Sequence, residues 1–505
     1  MDISDQTAAE AASDEADLAQ FGYTQELKRS LGLFSSFAVA FSYISPSTGI
    51  FALFALGLTT IGGVFFWSWP LVALGQFIIA LSFAELSSHI PVAGSVYQWS
   101  KHLSNKTHAW FTGWMYLFAG ILTVTAVAVT LPLALIPALD GMGWHMQNNL
   151  SNQRTIAAVF LVVVTLLNIY GVKAVALINN VGVFFEILGM VVFAFILALF
   201  HNHQGVGVIF KTGSANGTVG LFLVAMFMSL FVIYGFDTAS TLAEETKNPK
   251  KEAPKAVLYS IIGAFIIGGV FIWAILMAIP GTLADGMKNA VGPAAVIDAN
   301  FSNAFATTYL LVVSIAIFIC LLSIQANVMR LCFSMSRDDQ LPGSSALRKV
   351  SPKLHTPWVA CITVTIIAAI PLLQYAGATY LAIAATGLIY LSYFLVGIAI
   401  LRARLNGWPK KEAPFKLGKW GVPVSVAGLV WGGGMLINFA WPRAASNPTP
   451  KQTGNLLDFG WSWLNNRPVL WTVAIAIAAI GTAYYALVQR HKRAESPETA
   501  PAAAL

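Results

Sequence analysis

Twelve predominantly apolar runs leave this chain few ways to fold; they lie at about 31–58, 64–87, 107–138, 153–171, 174–200, 219–243, 256–280, 305–329, 357–374, 378–401, 421–441 and 468–488. A helix needs roughly 20 residues to cross about 30 Å of hydrocarbon. Lipid offers no partner for backbone N–H and C=O groups, so spanning segments are helices or closed barrels, and continuous runs of this length read as helices. The chain is therefore expected to be an all-α polytopic membrane protein with twelve transmembrane helices. With 57% hydrophobic and 10% charged residues, an ordinary soluble domain is excluded.

Charge orients the spans. A net charge of +7 would suggest a nucleic-acid partner in a soluble protein, but here the basic residues follow topology instead. With the N-terminus in the cytoplasm, only Arg154, Lys211, Lys288, Arg443, Lys451 and Arg467 fall outside the tails and inner loops. The positive-inside rule then puts both termini on the cytoplasmic side of the cytoplasmic membrane, which requires an even number of spans. Residues 1–25 are acidic and Ala-rich without an apolar h-region, so the expectation is a disordered tail and not a signal peptide; 491–505 read the same way. Between them lies one domain, 26–490. Cys320, Cys332 and Cys361 show no metal-ligand spacing, and neither a disulfide framework, a metal nor a cofactor is expected.

Two of the runs are broken in mid-span. The first carries Ser45-Pro46-Ser47-Thr48-Gly49 and the second Tyr234-Gly235-Phe236-Asp237. Backbone groups freed at membrane depth are tolerated only where protein, water or a bound solute satisfies them, and paired breaks point to a solute pathway. Each break opens a unit of five spans, about 31–200 and 219–401, with two further spans over about 421–488. An odd number of spans inverts the second unit relative to the first, giving a 5+5 inverted repeat. The stretch from Ser88 to Trp99 is expected to form an interfacial helix, and Ser336 to Pro342 a structured inner loop. Trp461 and Trp463 in the outer loop 442–467 are expected at headgroup level.

Three strings occur in order on the expected spans: Ala84-Glu85-Leu86-Ser87-Ser88 running into Pro91-Val92-Ala93-Gly94-Ser95-Val96-Tyr97, Gly235-Phe236-Asp237 followed by Ala243-Glu244-Glu245-Thr246-Lys247-Asn248-Pro249, and Ser336-Arg337-Asp338 with Leu341-Pro342. Together they resemble the amino acid–polyamine–organocation (APC) transporter superfamily over about residues 25–490. The Tyr97-Gln98-Trp99 ending and the first break are most similar to its amino acid/choline branch, which includes GABA and choline permeases. The resemblance implies the LeuT-like APC fold and a secondary transporter. One departure is Ser95, where many relatives carry a second Gly; its effect is expected to be small.

At the first break Pro46 lacks an N–H and Gly49 is permissive, so the half-helix resuming at Gly49 turns free N–H groups and a positive dipole end toward the midplane. The resemblance implies that backbone and hydroxyl groups of Ser47, Thr48 and Gly49, with Ser45, hold a substrate carboxylate; a Pro kink satisfied by neighbouring helices is the plainer alternative. At the second break Asp237 is placed to face an ammonium group or to N-cap the helix from Thr238 to Glu245. Phe231, Tyr234 and Phe236 offer cation–π faces, with Gly235 as the hinge, or simply pack. Glu186, in mid-span among Phe184, Phe185, Ile187 and Leu188, is either a proton-coupling carboxylate or a structural one bonded to a neighbouring helix. Some proton-coupled relatives carry a Lys at this place, counted from Asn179-Asn180, so their coupling mechanism does not transfer. By resemblance Glu85, Glu244, Glu245 and Arg337 form a cytoplasmic gate, with Lys247 and Lys251 as further partners.

The expectation is a carrier of an amino acid or small organic amine, coupled to protons, working in the lipid bilayer without a nucleic-acid partner. Asp237 with the first-break helix end suits a zwitterion such as an α-amino acid or GABA. Choline, ethanolamine, polyamine or cationic amino acid transport stays open, as do sodium coupling and exchange. An enzyme is not expected, because the spans hold no paired catalytic groups. A non-transporting nutrient sensor would share these features, though the tails are short for signalling.

Overall fold

The computed structural model describes residues 13–373, 378–441 and 469–490. Trp461, Trp463 and the 491–505 tail lie outside the described residues. The first run divides into α2 (Leu33–Ile44) and α3 (Pro46–Ile61), and α4 (Ser68–His89), α6 (Lys106–Gly141), α7 (Leu150–Tyr170) and α8 (Val172–Phe200) complete the first unit. The second unit opens with α9 (Val219–Val232) and α10 (Thr238–Thr241) and continues through α11 (Pro249–Met277), α14 (Asn303–Arg337), α16 (Trp358–Leu373) and α17 (Ala378–Leu405). The short helices α12 (Leu283–Lys288) and α13 (Pro293–Asn300) precede α14, and α15 (Ser344–Leu347) follows at its other end; α18 (Gly421–Ala440) and α19 (Val469–Tyr484) come last. The expected interfacial helix is α5 (Ser95–Leu103).

Among the described residues nine helices are long and apolar enough to cross a membrane, one of them the continuous stretch Leu33–His89 that contains the first two runs. Two shorter apolar helices, Val219–Val232 and Trp358–Leu373, stand at the sixth and ninth runs. Polar caps set the starts of three helices: Asn105 Oδ1 accepts the His108 amide at 2.8 Å, Asn149 Oδ1 the Asn152 amide at 2.9 Å, and Thr218 Oγ1 the Leu221 amide at 3.2 Å. The long α6 runs through the interior against α14 and α17, while α4 packs on α11. Leu166 on α7, Phe184 and Phe185 on α8 and Val430 on α18 point outward and stay exposed, as a lipid-facing surface requires.

The disordered-tail expectation for 1–25 does not describe residues 13–25. Residues 13–19 form a helix, α1, and the chain then runs as a strap up to a parallel bridge between Leu31 and Thr246. Composition misleads here because the acids of the strap have partners: Asp17 pairs with Lys250 at 2.7 Å, and Asp14 accepts the Asn248 amide at 3.0 Å and lies 3.6 Å from Arg29. Leu18, Tyr23 and Leu27 are buried, which offsets the entropy of ordering the strap.

Candidate functional site

The first break comes at Ser45, a non-glycine residue in the left-handed region (φ 32°), followed by Pro46 as the first residue of α3. The half-helix therefore resumes at Pro46, three residues before the expected Gly49, and the Gly49 amide is used internally, donating to the Ser45 carbonyl at 3.3 Å. What the N-terminus of α3 faces is Glu186 of α8. Ser45 Oγ and Ser47 Oγ donate to one Glu186 oxygen at 2.7 and 2.6 Å. Thr48 Oγ1 joins through Ser45 Oγ at 2.7 Å. An acidic side chain at a helix N-terminus is electrostatically favoured. Glu186 is 3% exposed, so its contacts must come from protein. On the other side of the break the carbonyl of Tyr43, freed at the end of α2, accepts from Cys320 Sγ of α14 at 3.4 Å.

The second break runs from Ile233 to Asp237 with Gly235 at φ 87°. The two breaks touch through their glycines. A Cβ on Gly49 would lie 2.3 Å from Val232 Cγ2, and one on Gly235 would lie 1.9 Å from Tyr43 Cδ1. The rings of Tyr43, Tyr234 and Phe231 meet edge-on at 6.0–6.1 Å, and Tyr234 Oη lies 3.3 Å from Thr123 Oγ1 of α6. Phe236 packs with Phe83 and Tyr393.

Asp237 stands at the N-cap position of α10, but its side chain makes no cap hydrogen bond. The expected capped helix to Glu245 is a single α-turn followed by the 3-10 turn Ala243–Glu245. The Asp237 carboxylate instead receives hydroxyls from three other elements: Tyr393 Oη of α17 at 2.5 Å, Tyr116 Oη of α6 at 2.6 Å and Ser95 Oγ of α5 at 2.9 Å. Ser95, whose departure from Gly was expected to matter little, keeps a glycine-like positive φ of 25° and contributes one of these hydroxyls.

Beyond the second break, ion pairs join the residues that follow α10 to the C-terminal half of α14. Glu244 takes both guanidinium nitrogens of Arg337, at 2.8 and 3.1 Å, and also the Ala93 amide. Glu245 forms a forked pair with Arg330, both side chains being at most 2% exposed. Glu85 does not join this group: it pairs with Arg404 in the last turn of α17 and accepts the Leu417 amide. Arg404 neutralises it there. Lys247 takes part through its backbone, its amide donating to the Leu31 carbonyl at 2.9 Å. The strap adds Tyr23, whose hydroxyl donates to Asp338 at 2.8 Å and whose ring lies 3.8 Å from the Arg337 guanidinium. Burial, and then the Asp338 charge, push the Tyr23 phenol well above its ordinary range, so it is a neutral donor. Burial, then Lys101, lower His102 to about 4, leaving it neutral against Phe21 of the strap.

Sequence reading missed Arg330, Arg404, Tyr116, Tyr393 and Tyr23. A basic residue close to a span end was readable as a buried-pair candidate, which would have found Arg330; the tyrosines carry no local signal among so many aromatics.

The amino acid permease family profile matches residues 31–457. Amino-acid permease BAT1 of Arabidopsis thaliana is 26% identical, covering 95% of this chain and 95% of BAT1. The branched-chain amino acid permease BcaP of Bacillus subtilis is 31% identical over 66% of this chain and 72% of its own length. The GABA-specific permease of Saccharomyces cerevisiae is 24% identical over 70% of this chain and 65% of its length. Among solved structures, MhsT in complex with L-phenylalanine aligns over 79% of this chain and 97% of its own, with a TM-score of 0.58 and 14% identity, a likeness of fold.

Proposed function

Since the chain belongs to the amino acid permease family, a family of multi-pass membrane transporters and not of enzymes, we propose that it carries a zwitterionic amino acid across the cytoplasmic membrane by alternating access, driven by protons. The observation that carries this reading is the contact of Glu186 with Ser45 and Ser47 at the α3 N-terminus. A titratable group there shares its donors with the place suited to a substrate carboxylate. Protonating Glu186 weakens its hold on the two hydroxyls and the helix end, which frees them for the incoming carboxylate; proton and substrate then load together. Ser45, Ser47, Thr48 and Gly49 hold the carboxylate end, and Phe231, Tyr234 and Gly235 with Tyr43 form the opposite wall, against the amine and side chain. Choline or ethanolamine would leave the α3 end without an anion, and relatives named for branched-chain amino acids and GABA both carry a carboxylate.

Glu244–Arg337 and Glu245–Arg330 keep the inner route closed in this conformation, and rocking of the first, second, sixth and seventh spans opens it. The distribution of Lys and Arg supports cytoplasmic termini.

Purified protein in liposomes tests the proposal by counterflow of labelled alanine, leucine, arginine, GABA, choline, ethanolamine and putrescine, followed by uptake under an imposed pH gradient. Accumulation of a carboxylate-bearing solute, lost in Glu186→Gln under the gradient but retained in counterflow, is the expected result. Binding without flux would make the protein a sensor, and unimpaired gradient-driven accumulation by Glu186→Gln would remove Glu186 from coupling.

A further inference from the structure

Glu186 stands on a stripe of α8 that faces α14. One turn before it a Cβ on Gly182 would lie 2.0 Å from Ile319 Cδ1, and two turns after it Phe193 stacks on Tyr309 with ring centroids 3.5 Å apart. Gly189, between Glu186 and Phe193 on this stripe, is different. A Cβ there would meet only Val312 Cγ1, at an ordinary 3.5 Å, so packing does not demand a glycine, and the missing methyl leaves room on the way from the carboxylate to Tyr309. Tyr309 is itself buried, yet its hydroxyl has no hydrogen-bond partner among the described residues, and the charge that acts on it is that of Glu186. Its surroundings are apolar, since Phe193 also meets Phe301 and Phe305. Leaving a buried hydroxyl unpaired is unfavourable, so packing alone would be served better by phenylalanine.

Tyr309 lies six residues from the start of α14, ~9 Å of helix rise. A cavity of about 600 Å³ opens at that end, lined by Asp140 of α6, Asp298 of α13, and Asn303 and Ala306 of α14, Ala306 being one turn from Tyr309. Burial, and then the Asp140 charge, raise the Asp298 carboxyl above its ordinary range, so it binds a proton more readily than a free aspartate. His145 pairs with Asp140 there at 2.9 Å. We propose that Tyr309 relays protons between this cavity and Glu186. An acid in the cavity gives its proton to Tyr309 Oη, directly or through water, while the tyrosine's own proton passes to the Glu186 carboxylate. One O–H bond forms and one breaks at Tyr309, the cavity acid loses a proton and Glu186 gains it; the phenol is neutral before and after. The inference rests on the reading of Glu186 as the coupling group and adds the side from which it loads, since the cavity lies at the end of the bundle that the Lys and Arg distribution assigns to the outside.

The full chain in liposomes is given an imposed pH gradient and labelled leucine, or labelled GABA if the counterflow panel selects it. Tyr309→Phe keeps the ring stack and is expected to slow the initial rate of driven uptake by at least about tenfold, a floor below the usual contribution of a positioned proton donor. The final accumulation ratio and the rate of counterflow should not change, because a relay sets how fast Glu186 is loaded and not whether it is loaded. Gly189→Ala fits beside Val312 and is the better helix former, and it should slow driven uptake in the same selective way. If Tyr309→Phe does not fold, Gly189→Ala decides the matter. Driven uptake and counterflow falling together would make Tyr309 a packing residue, and driven uptake at the wild-type rate would take it off the route; either result overturns the relay. Glu186→Gln, measured in parallel, separates the two readings. Accumulation by that variant defeats coupling through Glu186 itself, whereas its loss beside a wild-type rate in Tyr309→Phe defeats the relay alone.

Discussion

Neutralising Glu245 by substitution to Met strands Arg330 in an interior where it is 1% exposed. Removing one partner of a buried ion pair costs about 3–5 kcal/mol, because the survivor's desolvation is no longer offset. Arg330 keeps one neutral bond, from Nη1 to the Ala326 carbonyl at 2.9 Å, which does not replace a forked carboxylate. The cost falls on the inner-closed state, since opening the inner side lets water reach the guanidinium, and 3–5 kcal/mol corresponds to roughly two to three and a half orders of magnitude in population. Replacing both residues, Glu245→Met with Arg330→Met, removes the desolvation of both ions and should recover most of the loss. Thermal unfolding of the detergent-purified protein and the rate of substrate exchange, measured for the wild type, both single variants and the double, form a double-mutant cycle. A large favourable coupling is expected. If the double variant loses the sum of the two singles, the pair is not a coupled unit and the gate argument fails. Burial also ranks the other pairs: Glu85–Arg404, at 0% and 4% exposed, should couple nearly as strongly, whereas Lys250–Asp17, at 31% and 18%, should be worth about 0–1 kcal/mol.

Gly49→Ala places a methyl 2.3 Å from Val232 Cγ2 at the contact between the breaks; transport should fall at least about tenfold, and Val232→Ala should restore much of it in a flux assay. Tyr23→Phe keeps the ring on Arg337 but removes the hydroxyl shared with Asp338 and Lys101, at about 1–3 kcal/mol, so exchange at saturating substrate should quicken. His102 of α5 is covered by Phe21 of the strap with its pKa lowered to about 4 from 6.5, so once the strap detaches the uncovered imidazole binds a proton more readily. Docking is then fully present above pH 6.5 and weakens as pH falls toward 4, which limited proteolysis of the strap at pH 7 and pH 5 should show and His102→Phe should abolish.

The span positions, the two breaks and Glu186 were legible in the sequence because each is a violation of what lipid tolerates: apolar length, interrupted backbone bonding and a carboxylate among phenylalanines are local properties. Glu244, Glu245 and Arg337 were legible through motif alone, and the structure kept them together while giving Glu85 a different partner. The strap was illegible, because low apolar content reads as disorder until the basic surface that receives Asp14 and Asp17 is built. Asp237 shows the division most plainly. Its charge at membrane depth, and hence its need for compensation, is fixed by the residue and its surroundings along the chain; whether that compensation comes from a solute, its own helix or Tyr116, Tyr393 and Ser95, residues 121, 156 and 142 positions away, is decided only when three separate elements converge. Hydrogen-bond partners across such distances are selected by packing, and one-dimensional order does not encode packing directly.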